Sequence, residues 1–362
     1  MSSQAREAVT RLFADSDVQV DGPRATDIQV HDPRFYQRVL AQGSLGMGES
    51  YMDGWWNAAD LDGFITKLLA SDVDKRVLGW NETLSFAIAH VANLQSRARA
   101  FQVGERHYDI GNDLYERMLD SRLVYSCAYW ADAQTLEQAQ VAKLNLTLDK
   151  LGLAGGQRVL DVGCGWGGAL KHAVERYGVQ GVGVTISKEQ AELARRRVAG
   201  LPIEIRLTDY RELREQFDHA WSIGMFEHVG PKNYRAYMEV VHRNLKTGGH
   251  FLLHTIGALR RTHNGIDPWI GRYIFPNAVI PRQQQILDAL NGLFWIQGWQ
   301  RIGRHYDATL MAWRGNFEKA WPELSATRDE RFYRMWRYYL SSSAAAFRAG
   351  ITDVWQVLLT AA

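Results

Sequence analysis

Val159-Leu160-Asp161-Val162-Gly163-Cys164-Gly165-Trp166-Gly167-Gly168 is the run on which the fold turns. A short apolar strand carries an acid and then enters a turn with four glycines. Glycine accepts left-handed backbone conformations and lets a ligand come close to the main chain. Gly163, Gly165 and Gly168 also satisfy a dinucleotide-type glycine spacing, a pattern that is weak by itself.

Working outward, strands and helices alternate. A helix is expected over 135–151, a strand over 158–162, and a helix from the glycine turn to about Tyr177. A strand over 179–185 follows, and then a helix opened by Ser187 with Gln190 at capping-box spacing. Ile203, Ile205 and Leu207 alternate as a third strand, and 220–223 is a fourth. The helix expected over 234–245 buries Tyr234, Tyr237, Met238, Val241 and Leu245, and 250–256 is a fifth strand. Such alternation predicts an α/β fold with a parallel, doubly wound sheet, whose ligands lie beyond the carboxyl ends of the strands. Asp161, Thr185, Asp209, Glu227 and His254 all fall at or just after those ends.

Residues 1–90 read as a small, mostly helical N-terminal domain that Gly43, Gly46, Gly48 and Gly54 interrupt. The polar segment 91–105 reads as a linker and 106–362 as the catalytic domain. Near the end, 299–303 and 309–313 look strand-like, and a helix is expected over 328–343. Arg331, Arg334 and Arg337 lie off its apolar stripe, the usual place for a solvated face.

The net charge of +2 gives no general pull toward nucleic acid. Two cysteines make no disulfide framework, so a cytoplasmic setting is expected. Residues 1–13 lack the apolar core of a signal peptide, and no apolar run approaches the ~20 residues that span a bilayer. Thirteen tryptophans and fifteen tyrosines suit a large core, and equally a site for a long apolar chain.

The second strand ends Thr185-Ile186-Ser187, without the acid that holds a nicotinamide ribose. An acid two residues before the first glycine instead suits S-adenosylmethionine, which carries both a sugar hydroxyl and a positive charge. At this point the chain resembles the cyclopropane fatty acid synthase family, on a class I methyltransferase Rossmann-like sheet. The matching stretches begin with Gly43-Ser44-Leu45-Gly46-Met47-Gly48-Glu49-Ser50-Tyr51-Met52-Asp53-Gly54-Trp55-Trp56, His107-Tyr108-Asp109-Ile110-Gly111-Asn112-Asp113 and Tyr125-Ser126-Cys127. They continue through the glycine turn, residues 183–187, Phe226-Glu227-His228-Val229-Gly230, Leu252-Leu253-His254-Thr255-Ile256 and residues 306–313. The first stretch resembles the bacterial two-domain phospholipid enzymes more than the shorter mycolic-acid relatives.

The resemblance implies cofactor contacts at Tyr125, Ser126, Asp161, Gly163, Cys164, Gly165, Gly167, Thr185, Ile186, Ser187, Gln190, Asp209, Tyr210 and Arg211. It implies methylene transfer from S-adenosylmethionine to a cis double bond of a phospholipid acyl chain. The resulting carbocation would lose its proton to a bound bicarbonate ion, held by Cys127, Glu227, His254, the main chain of Ile256, and Tyr306. Singly, each of these has a plainer reading: a small buried thiol, a strand-end ion pair, a satisfied core histidine, an ordinary phenol. Their joint match to one motif set outweighs those readings. Some relatives carry a cysteine where this chain has Ser341-Ser342-Ser343, so a covalent route on that segment is not open here. No zinc-type spacing is present, and no metal is expected.

Trp269, Tyr273 and Phe275, among Arg260, Arg261, Arg272 and Arg282, are candidates for an acyl-chain lining with headgroup contacts. A loop packing on the small domain is the equal alternative. A homodimer in peripheral contact with the inner membrane is expected from the family alone. The competing enzyme reading is a plain methyltransferase acting on another lipid or an amine.

Overall fold

The computed structural model describes residues 2–71, 110–259 and 266–362. The expected linker 91–105, the His107-Tyr108-Asp109 motif, and Arg260 and Arg261 lie outside the described residues. The chain forms two compact units, each discontinuous. The first comprises Met1–Ala92, Arg260–Pro276 and Leu310–Thr352, and the second the remainder. The expected catalytic stretch 106–362 therefore contributes to both, which chain order alone does not reveal.

In the first unit, the helix Ser2–Phe13 buries Ala5, Val9 and Phe13 on one face, as its spacing requires. The helix Arg34–Met52 runs through the glycine-rich stretch and is non-helical only at Gly43. Gly48 does not interrupt it but makes room, because a Cβ there would lie 2.4 Å from the Trp269 ring. β1 (Gln29–Val30) and β2 (Trp56–Asn57) pair antiparallel. Asp60 caps the helix Leu61–Ala70 by accepting from the Gly63 N–H.

The helix Glu330–Arg348 corrects the expectation of a solvated arginine face. Arg334 donates to the Tyr51 and Trp56 carbonyls and to Asn57, and Arg337 to Glu318 and the Tyr51 hydroxyl. The strand expected over 309–313 is instead part of the helix Tyr306–Leu324. Leu310, Trp313 and Phe317 are buried at helical spacing, which a five-residue apolar window does not distinguish from a strand.

The second unit is built on a seven-stranded sheet ordered β5-β4-β3-β6-β7-β9-β8. Its strands are β3 (Arg158–Val162), β4 (Gln180–Thr185), β5 (Ile203–Leu207), β6 (Phe217–Ile223), β7 (Leu245–Ala258), β8 (Phe294–Arg301) and β9 (Thr352–Ala361). β3 pairs parallel with both β4 and β6, β4 with β5, and β6 with β7; β8 and β9 pair antiparallel. The chain leaves β3 toward β4 and β5, then returns to β6 on the other side. That reversal makes the carboxyl end of β3 the switch point where a doubly wound sheet opens a crevice.

Side chains alternate between two buried faces. Leu160, Val162, Ala220, Phe251 and Leu253 pack into one cluster, and Val159, Trp221 and Leu252 into the other. The sequence reading missed β9 altogether, and the strand expected over 299–303 begins earlier and stops at Arg301.

Gly168, the first residue of the helix Gly168–Tyr177, has the Arg122 carbonyl only 2.2 Å from where a Cβ would sit. Backbone cannot yield as a side-chain tip can. Gly168→Ala is expected to lower stability by about 3 kcal/mol, by overpacking. Gly155→Ala, whose Cβ would lie 3.8 Å from its nearest neighbour, is expected to stay within about 0.5 kcal/mol of wild type. Urea unfolding of both variants checks the difference.

Candidate active site

The turn after β3 holds Gly163, Gly165 and Gly167 at φ of 87°, 52° and 79°. The Gly163 and Cys164 N–H groups both donate to the Val184 carbonyl at 3.0 Å, which pins the turn to β4. At Gly165 a Cβ would meet nothing within 4 Å, so the main chain is open there. Asp161 is buried one residue before the end of β3, and burial raises its carboxyl to about 7.

At the end of β4, the Thr185 hydroxyl donates to Gln190 Oε1 at 3.1 Å and accepts from the Ser187 N–H at 3.2 Å. Ser187 caps the next helix by accepting from the Gln190 N–H, as its spacing predicted. After β5, Asp209 accepts from Arg211 through both carboxylate oxygens, so the two form a closed pair. Tyr210 is buried edge-on against Tyr237. Ile186 and Tyr125 are half-buried, with Tyr125 edge-on to Tyr115.

Of the acid–base candidates, Glu227 and His254 lie at the ends of β6 and β7. Ile223 of β6 lies opposite His254 of β7, and the Gly224 N–H donates to the His254 carbonyl at 2.9 Å. Glu227 follows in a helical turn (Phe226–His228), and its Oε1 accepts from the Ile256 N–H at 2.6 Å. Its other oxygen, Oε2, is buried with no hydrogen-bond partner among the described residues. Burial raises the Glu227 carboxyl to about 7, against the Ile256 and Glu227 N–H groups and the Thr255 hydroxyl, which favour the charged form. The Ile256 N–H, expected to face a bound ion, is thus already committed to Glu227.

His254 is buried, and burial holds its imidazole well below the usual range, so it is neutral. Cys127 is fully buried and its thiol is pushed up, so it keeps its proton. Its Sγ lies 3.8 Å from the Ile302 carbonyl. Ile302 precedes the turn Gly303–His305 that leads into Tyr306. Asp353 fixes that turn by accepting from the Gly303 N–H at 2.8 Å.

Two groups escaped the sequence reading. Lys143 is fully buried, donates to the Ser126 hydroxyl at 3.0 Å, and is lowered to about 8 by burial. Gln356 of β9 lies 3.3 Å from His254 Nδ1. A lysine between apolar helical positions, and a glutamine inside the run Val354-Trp355-Gln356-Val357-Leu358, were the available signals.

Trp269, Tyr273 and Phe275 belong to the first unit. Trp269 is fully buried beside Met52 and Tyr338, and the Tyr273 hydroxyl donates to Glu49 at 2.8 Å. Phe275 meets the Tyr339 ring edge-on.

A glycine-lined strand end at the switch point of this sheet defines the class I methyltransferase fold. Residues 95–357 match the family model described as mycolic acid cyclopropane synthetase. The chain is 50% identical over 350 residues to the cyclopropane-fatty-acyl-phospholipid synthase of Escherichia coli, covering 96% of this chain and 91% of the relative. The cyclopropane synthase MmaA2 of Mycobacterium tuberculosis superposes with a TM-score of 0.68 at 32% identity, over 74% of this chain and all of that one. The mycolic acid cyclopropane synthase CmaA1, solved with SAH and CTAB, gives 0.67 at 35% identity, over 72% of this chain and 98% of that one. The chain belongs to the cyclopropane fatty acid synthase family. Its activity is S-adenosylmethionine-dependent methylene transfer to lipid.

The Glu227 shift has a thermodynamic consequence. Unfolded, this side chain loses its proton near 4.5; folded, near 7. Between those values the native state binds more protons than the unfolded one, so stability falls as pH rises. Glu227→Gln does not titrate and escapes the loss. Wild type is expected to lose roughly 2–3 kcal/mol relative to Glu227→Gln between about pH 5 and about pH 8, read from urea unfolding. A gap that does not change with pH contradicts a buried, titrating carboxylate.

Proposed function

We propose that the chain adds a methylene group across the cis double bond of an unsaturated phospholipid acyl chain, closing a cyclopropane ring. The proton acceptor is a bicarbonate ion held by Cys127, Glu227, His254, Tyr306 and, through Glu227, the main chain of Ile256. The observation that carries this reading is the unpartnered Glu227 Oε2. A buried oxygen of this kind is costly unless a ligand pairs with it. An ionised carboxylate oxygen only accepts, so its partner has to bring a hydrogen. Bicarbonate brings its O–H, and its remaining oxygens need donors. A protonated thiol, a neutral imidazole and a phenol are donors of the right kind.

S-adenosylmethionine, when bound, supplies an electrophilic methyl group on a sulfonium. The open main chain at Gly165, with Tyr125, Ser126, Asp161, Gly163, Cys164, Gly167, Thr185, Ile186, Ser187, Gln190, Asp209, Tyr210 and Arg211 around it, is assigned to hold it. The SAH in the CmaA1 structure supports that assignment.

An isolated alkene is a weak nucleophile and has no acidic proton to remove first. The protein's work is alignment of alkene and methyl, exclusion of water from a transient carbocation, and placement of a proton acceptor. Burial of Cys127, Glu227 and His254 keeps bulk water from that acceptor. With one oxygen held by Ile256, Glu227 keeps Oε2 as the place where a proton is received. The substrate sits in a bilayer, so we assign peripheral contact with the cytoplasmic face of the inner membrane, by a homodimer. Among the described residues no helix is long and apolar enough to cross a membrane.

The test is mass spectrometry of phospholipids after incubation with S-adenosylmethionine. The expected product gains one CH₂ and no longer reacts as an alkene. A methylated product that keeps its double bond overturns the reading. Glu227→Gln is expected to cut turnover on the order of 10²–10⁴-fold, with cofactor affinity from calorimetry nearly unchanged. Full turnover in that variant removes Glu227 from the site.

A further inference from the structure

His254 sits in a hydrogen-bond chain whose directions are fixed from its far end. Lys150 Nζ donates to Gln356 Oε1, and also to Gln300 Oε1 at 2.5 Å. An ammonium only donates, so it selects the oxygen of the Gln356 amide and turns the NH₂ the other way. The NH₂ has two neighbours, Thr147 Oγ1 at 2.9 Å and His254 Nδ1 at 3.3 Å. The Thr147 hydroxyl spends its own proton on the Lys143 carbonyl at 2.7 Å, so toward Gln356 it accepts. Thr147, Gln356 and His254 are each nearly or wholly buried, so water does not scramble the order.

From this geometry we propose that Gln356, oriented by Lys150 and Thr147, is a positioning residue that holds His254 as the Nε2–H tautomer. A hydrogen on Nδ1 would face the amide N–H of Gln356. Nδ1 therefore accepts, and the neutral ring carries its one hydrogen on Nε2. That leaves His254 with a single N–H, the donor a small anion uses, and denies it a lone pair on that nitrogen with which to compete for the proton. The inference rests on the proposed anion site for its function, but the tautomer itself is independent of it.

The test is long-range 15N–1H correlation NMR of histidine-labelled protein at neutral pH, with the His254 signals assigned by their loss in His254→Gln. Wild type is expected to show the Nε2–H pattern. Gln356→Glu places an acceptor opposite Nδ1 and should move the hydrogen there. Gln356→Met, of similar shape and without polar hydrogens, should give a mixture of tautomers. Turnover of Gln356→Glu should fall on the order of 10- to 100-fold, with KM for S-adenosylmethionine unchanged and the thermal midpoint near wild type. An Nδ1–H or doubly protonated His254 in wild type overturns the proposal, as does an unaltered Nε2–H pattern in both variants. Failure of the alkene reading appears instead in the lipid product and leaves the tautomer result standing.

Discussion

The bond from the Ile256 N–H to Glu227 Oε1 organises the carboxyl end of the sheet. It ties the turn after β6 to the end of β7, two residues beyond His254, and fixes which carboxylate oxygen is spent. What remains is one buried oxygen without a partner among the described residues, in a residue whose backbone carbonyl is also taken, by the Val279 N–H at 2.8 Å. A protein bears the cost of such an atom where a ligand is to meet it. Burial, rather than neighbouring charge, dominates the carboxyl's raised value.

The same economy runs through the surrounding groups. Burial leaves Cys127 protonated and His254 neutral, so neither carries a net charge. Lys143 and Lys150 stand behind them and are both lowered to about 8 by burial. β9 serves both sides of this arrangement. Asp353 at its start fixes the turn that leads to Tyr306, and Gln356 farther along reaches His254.

The proposed cofactor half of the site was readable because its physics is local. A buried parallel strand is a short apolar run, a glycine turn announces positive φ, and Ser187 and Gln190 cap a helix three residues apart. The acid–base half was legible only through the motif resemblance, since Cys127, Glu227, His254 and Tyr306 are far apart in the chain. β9 went unread although Val354-Trp355-Gln356-Val357-Leu358 is a local apolar run, and its place between β7 and β8 is a long-range pairing that no local pattern encodes. The helix over 306–324 was misread in part for a related reason: Thr-Leu-Met-Ala-Trp is a short apolar run such as a strand also makes, and only the longer window reveals Phe317. The arginines off the stripe of the last helix looked solvated because their partners, Tyr51 and Trp56, lie almost 300 residues away.

The most direct measurement of the central claim is turnover in buffer stripped of carbon dioxide, followed by addition of bicarbonate. A site built around an unpaired buried carboxylate oxygen predicts a rate that collapses on stripping and returns along a saturating curve as the ion is restored. A rate that ignores bicarbonate at every concentration contradicts it.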